Sequence, residues 1–118
     1  MKLSNISKKK SLRADVEIAD SELSRMRGLM FRKKVIPMLF IFDSEGIFPI
    51  HSYFVKGKFD AVYLSVDKAV TEIFRGIPPG TPLVTPKKKA KYLLELPSEM
   101  TRKLAIEEED KMNWNSAK

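Results

Sequence analysis

The sequence contains no cysteine and only one histidine, His51. Without cysteine the chain has no disulfide, no thiolate metal site and no cysteine nucleophile. A lone histidine leaves only carboxylates as metal ligands, and the acidic run Glu107–Asp110 lacks the spaced oxygen ligands and the turn glycine of a calcium loop. We interpret that run as the solvated end of a helix and predict no metal and no cofactor. The missing cysteine also suits a reducing compartment or a heat-adapted protein.

Long apolar runs are missing as well. No stretch approaches the roughly 18 apolar residues that a membrane helix needs, and no apolar segment follows the N-terminal lysines, as it would in a signal peptide. We therefore expect a cytoplasmic protein without a membrane partner. The segment 76–80 has too few glycines for a phosphate loop, and its two prolines lack the N–H donors that such a loop needs.

Acidic residues are scarcer than basic ones, with 15 Asp and Glu against 22 Lys and Arg and a net charge of +7. Much of the excess lies in two lysine clusters, which favour an anionic partner such as nucleic acid. Lysine-rich surfaces also provide solubility and heat stability, so a merely solvated surface is the alternative. The candidate polyanion contacts are Lys8, Lys9, Lys10, Lys87, Lys88, Lys89 and Lys91.

The residues that are present suffice for one domain of 118 residues, 43% of them hydrophobic. Alternating apolar residues at 12–18 predict a half-buried strand, and apolar runs at 38–42, 60–66, 69–74 and 91–96 predict further strands. Turns are predicted at 43–46 and 67–68, and a short edge strand at 83–84. Residues 1–11 are either a flexible start or an edge strand, 111–114 are either a last strand or a packed tail, and 115–118 are predicted to be flexible.

The first helix is predicted to lie just before the string Arg27–Arg32. Asp20 is the predicted N-cap, and Gly28 is the predicted end because glycine adopts a left-handed conformation at little cost. The predicted inward stripe of this helix consists of Leu23, Met26 and Met30.

A second short helix is predicted to open at Pro97-Ser98-Glu99, with Ser98 as its cap and Leu104 and Ile106 on its inner side. With about seven short strands and few helical crossovers, the pattern predicts an α+β fold. We expect a single compact domain with a mostly antiparallel, curled or barrel-like β-sheet and two short helices.

Four strings occur in an order that resembles a known family of small bacterial and archaeal proteins, the domain-of-unknown-function 192 family. They are Gly28-Leu29-Met30-Phe31-Arg32, Met38-Leu39-Phe40, Phe59-Asp60-Ala61-Val62-Tyr63-Leu64 and Tyr92-Leu93-Leu94-Glu95-Leu96-Pro97. The resemblance covers about Val16 to Asp110 and implies a compact, mostly β domain around a barrel-like core, without an established activity. The chain departs from the family where His51-Ser52-Tyr53-Phe54-Val55 replaces a usual Trp-Met-Lys-Asn-Thr segment, and where Glu109-Asp110 replaces a glycine-aspartate pair.

The candidate binding residues are Arg27, Arg32, His51 and Asp60. A buried aspartate needs a cation or backbone donors, so an ion pair of Asp60 with Arg32 or Arg27 is predicted. Such a pair either fixes the helix on the sheet or leaves an arginine free to grip an anion. We identify no catalytic residue. Ser52 follows His51 in the sequence, but His51 is predicted to lie on a strand, which points Ser52 to the opposite face.

Three hypotheses follow. The first is a non-enzymatic binding or accessory module whose site lies near the central arginines and His51. The second is a protein that binds nucleic acid or another polyanion through the lysine clusters. The third is a hydrolase that uses His51 and Asp60.

Overall fold

The structure, a computed structural model, describes residues 1–115, which form eight strands and two short helices. This confirms the predicted α+β class and the prediction of two helices. Within the described residues the strands lie in two sheets that do not close into a barrel. The elements are β1 (Lys2–Asn5), β2 (Lys10–Arg13), β3 (Glu17–Ala19), α1 (Glu22–Arg27), β4 (Met38–Gly46), β5 (Phe59–Leu64), β6 (Val70–Ile77), β7 (Ala90–Leu96), α2 (Ser98–Lys103) and β8 (Met112–Asn115).

The larger sheet has five strands in the order β3-β4-β7-β5-β6, and the smaller has the order β2-β1-β8. Only the β3–β4 pair is parallel among these neighbours. Strand β7 is the centre of the larger sheet, and β4 and β5 flank it. All six residues of β5 are buried, which explains its nearly continuous apolar sequence, since both of its faces are covered.

Alternate residues of the larger sheet point into two separate cores. We call one side the α1 face and define it by the cross-strand row Phe40, Leu93 and Tyr63. The opposite side is the inner face, defined by the row Leu39, Leu94 and Val62. The smaller sheet and the segment after α2 contribute to the inner core through Leu3, Leu104, Ile106 and Met112. The α1 face is the side on which α1 lies.

The strand predictions were right for the apolar runs 38–42, 60–66, 69–74 and 91–96, and the predictions for 12–18 and 43–46 were wrong. Residues 12–18 are not one strand but parts of β2 and β3, which belong to different sheets. The segment Asp43–Gly46 is not a turn; it is the irregular end of β4, where the register shifts. Of the two alternatives for 1–11, strands are observed rather than a flexible start, because β1 and β2 pair there, β2 is at the edge of its sheet, and Leu3 is fully buried.

The aromatic run 47–55 contains only one isolated bridge within the described residues, between Ile50 and Val84. The prediction that His51 lies on a strand is therefore wrong. The same bridge is all that forms of the predicted edge strand at 83–84. The hairpin turn at 67–68 is confirmed, since β5 and β6 pair across it. The last strand, β8, is also confirmed. It includes Asn115, which was predicted to be flexible but pairs with Lys2, while residues 116–118 lie outside the described part.

Helix α1 begins one residue later than predicted. Ser21, rather than Asp20, is its N-cap, and Ser21 and Ser24 form a reciprocal capping box. Gly28 ends the helix with φ 48°, as predicted. The predicted inward stripe is wrong, because Leu23 and Met26 are 79% and 68% exposed and α1 buries no residue.

Helix α2 follows β7 directly. Pro97 occupies the N-cap position and makes no side-chain cap, so the predicted Ser98 cap is wrong. Leu104 and Ile106 are buried as predicted. Neither helix of residues 1–115 is long and apolar enough to cross a membrane.

Candidate functional site

A cavity of about 320 Å³ lies between α1 and the larger sheet. An apolar cavity of about 280 Å³ adjoins it and shares Met26, Phe40 and Ile50 with it. Because this space separates the helix from the sheet, α1 has no buried side chain. A wider groove of about 750 Å³ lies along residues 14–17 and 34–37, but none of its charged side chains is buried.

Gly28 shapes one wall of the first cavity. Its φ of 48° lies in the region that glycine adopts readily and other residues rarely adopt. A Cβ added at Gly28 would lie 3.3 Å from the ring of Phe40. The glycine therefore both ends α1 and allows the backbone to approach the buried Phe40 ring closely.

Glu95 forms the floor of the cavity. It lies on the central strand β7, between Met38 of β4 and Ala61 of β5, so its cross-strand neighbours are apolar. The residue is 4% exposed. Burial raises the pKa of its carboxyl from 4.5 to about 8, because an ionised carboxylate loses hydration there without gaining a cation. At neutral pH the carboxyl is therefore mainly protonated.

The Glu95 carboxyl differs from the other two buried carboxyl groups in its partners. Asp60 accepts hydrogen bonds from the Gly76 amide at 2.8 Å and the Ser98 hydroxyl at 2.9 Å. Asp110 accepts from Lys8, Asn5 and the Glu107 amide. Among residues 1–115, no hydrogen bond or ion pair reaches the Glu95 side chain, whose carboxyl instead lines the cavity.

Two basic side chains stand at the exposed edge of the cavity. These two are Arg27 and His51. Arg27 makes no hydrogen bond or ion pair within the described residues. Arg25, which also lines the cavity, instead donates to the Ile41 carbonyl at 3.0 Å. His51 Nδ1 accepts from the Tyr53 amide at 3.1 Å. In neutral His51 this places the ring proton on Nε2, which leaves Nε2–H as a donor.

Two exposed aromatic rings lie beside the lining residues Met30 and Val55. Phe31 and Phe54 stack with ring centroids 4.8 Å apart and are 64% and 62% exposed. Both have left-handed backbones, with φ of 63° and 60°, which are costly for such residues. The Phe31 amide donates to the Phe54 carbonyl at 2.9 Å, which links the two turns.

The structure brings together only two of the four predicted binding residues, Arg27 and His51. Arg32 forms a bidentate ion pair with Glu17 instead. The predicted ion pair of Asp60 with Arg32 or Arg27 is wrong, since a backbone amide and a hydroxyl fill that role. Asp60 precedes Ala61 on β5 and points to the inner face, on the other side of the sheet from the cavity.

The seven lysines predicted to contact a polyanion lie in two separate parts of the fold, and no described contact joins the two groups. Lys8 pairs with Glu107 at 2.6 Å and Asp110 at 2.8 Å, and the hydrogen bond to Asp110 is the main reason that the pKa of Lys8 is raised. Asp110 is thus buried and paired, so the predicted solvated helix end is wrong there.

The second lysine cluster lies beside the larger sheet. The amides of Lys87 and Lys88 donate to Glu72 at 2.7 and 2.6 Å, and their side chains are exposed. Lys91 donates to the Asp43 carbonyl at 3.1 Å. Lys9 and Lys10 belong to the β1–β2 hairpin of the other sheet.

Sequence reasoning missed Glu95. The sequence feature that could have identified it is a single acidic residue inside the apolar string 92–97. Glu95 lies two residues after Leu93, so on a strand both side chains point to the same face, which is directed at the core. No group of three or more histidine, aspartate or glutamate residues that could hold a metal occurs within the described residues.

The fold is similar to two crystal structures of bacterial proteins. One, from Sinorhizobium meliloti and described as a candidate transcription regulator, superposes with a TM-score of 0.82 at 20% identity over 95% of this chain and 89% of that one. The other, a protein of unknown function from Novosphingobium aromaticivorans, gives a TM-score of 0.80 at 20% identity over 96% and 82% of the two chains. At these identities the similarity concerns the fold alone.

Curated relatives come from thermophilic archaea. The UPF0127 protein of Pyrococcus furiosus is 31% identical over 94% of this chain and 96% of its own length, and that of Pyrococcus abyssi is 33% identical over 93% and 94%. The sequence profile of the family described as uncharacterised ACR, domain of unknown function 192, matches residues 4–114. The chain therefore belongs to the DUF192 (UPF0127) family, as its four strings predict.

Proposed function

We propose that this protein is a non-enzymatic binding module whose ligand is a small molecule held in the cavity beneath α1. The observation that carries the proposal is the Glu95 carboxyl, buried at the floor of the cavity without a protein partner. A buried polar group without a partner costs free energy, and a bound ligand can satisfy it. We also propose a cytoplasmic location, which the absence of cysteine suits.

The distribution of polarity supports a binding role. The walls are mainly apolar, with the buried residues Leu29, Phe40 and Val55. The polar side chains are Glu95 at the floor, Arg27 and His51 at the edge, and Arg25, which donates to the Ile41 carbonyl. Small-molecule sites commonly combine apolar walls with a few placed polar groups. The cavity lining includes no serine, threonine, tyrosine or lysine, which leaves the buried Glu95 carboxyl and His51 as its only side chains of a type that acts as a nucleophile.

The same geometry disfavours the hydrolase hypothesis. Acid–base chemistry by His51 and Asp60 needs both groups within hydrogen-bond reach of one substrate. Asp60 points to the inner face and is occupied by two donors, whereas His51 lines the cavity on the α1 face.

A screen by native mass spectrometry with small-molecule cell extract tests the proposal. We expect a retained compound to be lost in Glu95→Leu and weakened in Arg27→Ala. Lys33→Ala is the matched control, because it removes an exposed positive charge that does not line the cavity. A compound that binds wild type and Glu95→Leu equally, or an extract from which nothing is retained, would contradict the proposed function.

A second candidate function is polyanion binding through Lys87, Lys88 and Lys89. The favouring observation is that Glu72 holds the backbone of this loop through two amides while the three side chains stay exposed. Binding to single-stranded RNA should weaken steeply with salt, and replacing the three lysines by glutamate should abolish it. Replacing the exposed Lys33 and Lys34 instead is the control, and binding that does not depend on salt would eliminate this candidate.

A further inference from the structure

The Glu95 carboxyl defines what the inner end of a ligand must offer. It is more than nine-tenths buried, lines the cavity, and has no hydrogen-bond partner within residues 1–115. Burial between Met38 and Ala61 favours its neutral form, because no cation offsets the desolvation of a carboxylate there. A neutral carboxyl presents an O–H donor and a carbonyl acceptor side by side.

The complement of that pair is an edge with an acceptor next to an N–H donor. A lactam or a cyclic imide has such an edge: its carbonyl accepts from the carboxyl O–H, and its N–H donates to the carboxyl carbonyl. Two hydrogen bonds then satisfy every polar atom at the floor, which a single hydroxyl or amine on the ligand cannot do.

The walls and the volume favour a flat, compact body on the ligand. The cavity of about 320 Å³ lies at the small end of the range for small-molecule sites. The buried walls include the Phe40 ring, next to which Gly28 lacks a side chain. A single planar ring fits these constraints, whereas a dinucleotide does not.

The edge of the cavity favours a negative charge on the outer end of the ligand. Arg27 has a guanidinium without a partner among the described residues, and the Nε2–H of neutral His51 is a second donor. Guanidinium groups bind carboxylates and phosphates well. The exposed Phe31–Phe54 pair does not line the cavity, but Phe31 follows the lining residue Met30 and Phe54 precedes the lining residue Val55.

We propose that the cavity takes a single-ring planar heterocycle with a lactam or imide edge directed at Glu95 and an anionic substituent directed at Arg27 and His51. This inference rests on the proposed function, because it names the ligand class of the same cavity.

Isothermal titration of the full chain with two probes tests the inference. Uracil-6-carboxylate and uridine 5′-monophosphate both carry an imide edge and an anion, and we expect both to bind. Two matched compounds remove one feature each. Benzoate keeps the ring and the anion without the imide edge, and N3-methyluridine 5′-monophosphate blocks the N–H donor; each should bind about tenfold more weakly or worse, as expected for unpaired buried polar groups.

Variants of Glu95 give the second arm. Glu95→Gln should bind both probes within a fewfold of wild type, because an amide also presents a donor beside an acceptor. Glu95→Leu should lose both probes while keeping a cooperative unfolding transition, which separates lost binding from lost folding. Arg27→Ala should weaken the probes, and Lys33→Ala should not.

The outcomes separate the two proposals. If neither probe binds, or if benzoate binds as well as uracil-6-carboxylate, the inference is overturned. A ligand from cell extract that is lost in Glu95→Gln as well as in Glu95→Leu would also overturn it, because it would require an ionised carboxylate and hence a cationic ligand. In that last case the binding function itself would stand.

Discussion

Replacing Glu95 by glutamine should change how the stability of the fold depends on pH. Burial raises the pKa of the folded-state carboxyl from 4.5 to about 8. Folding therefore keeps a proton that the unfolded chain loses, and the linkage relation makes the free energy of unfolding fall as pH rises between the two values. The contribution is fully present below the unfolded pKa and is lost as pH rises through the folded pKa.

The magnitude follows from the size of the shift. Each pKa unit corresponds to about 1.4 kcal/mol, so ionising Glu95 in the fold should cost about 4 kcal/mol between roughly pH 5 and pH 9. Native domains are stable by about 5–15 kcal/mol, so the loss should be readily measurable. Glu95→Gln has no proton to lose, and its stability should stay nearly flat across that window.

The assay is urea denaturation of both proteins at several pH values in that window. The difference between them isolates Glu95, because all other titrating groups are shared. Among these groups, Tyr63 loses its proton only above the pH window of the assay, since burial and the nearby charges of Glu95 and Glu72 raise its pKa. Glu108→Gln, at an exposed position, is the matched control and should follow wild type. Parallel pH profiles for wild type and Glu95→Gln would refute the view that this carboxyl is buried without a partner.

Three further changes test other parts of the structure. Gly28→Ala should destabilise the fold by about 1–3 kcal/mol in urea melts, because a side chain would have to adopt positive φ and contact Phe40. Asp60→Ala should cost about 1–3 kcal/mol in the same assay, because both of its hydrogen-bond donors would lose their acceptor. Burial works to raise the pKa of Asp110, but the hydrogen bond from Lys8 and its other donors outweigh it, so the pKa is lowered. Its stabilising contribution is then present above the ordinary pKa and lost as pH falls, and Asp110→Asn should flatten the acid side of a circular-dichroism titration.

The parts of the fold that sequence reasoning predicted share a short-range cause. Gly28 ends a helix because of its own backbone freedom, and Phe40 and Phe42 are buried because they lie in a continuous apolar run. The hairpin around Asp67-Lys68 is set by residues adjacent in the chain. In each case the few neighbouring residues suffice to determine the outcome.

The predictions that failed concern contacts between residues that are distant in the sequence. Leu23 and Met26 have helical spacing, but periodicity cannot tell whether a face meets a core or a cavity. Asp60 was correctly expected to need a partner, yet the partners are a hydroxyl and an amide brought from α2 and β6. The sequence also cannot show that residues 12–18 divide between two sheets.

The position of Glu95 within an apolar strand could have been recognised in the sequence. An acidic residue at such a position is unfavourable for stability, and this suggests a role in function. A leucine at this position on β7 would bury apolar surface without the cost of an acid, so Glu95→Leu should be more stable than wild type, above all at high pH. Asp60 and Asp110 repay their burial through hydrogen bonds, whereas Glu95 has none within residues 1–115. A site that costs stability and opens onto a cavity is where function and stability conflict. The argument requires Glu95→Leu to gain stability while losing ligand; a variant that loses both would place Glu95 among the structural residues instead.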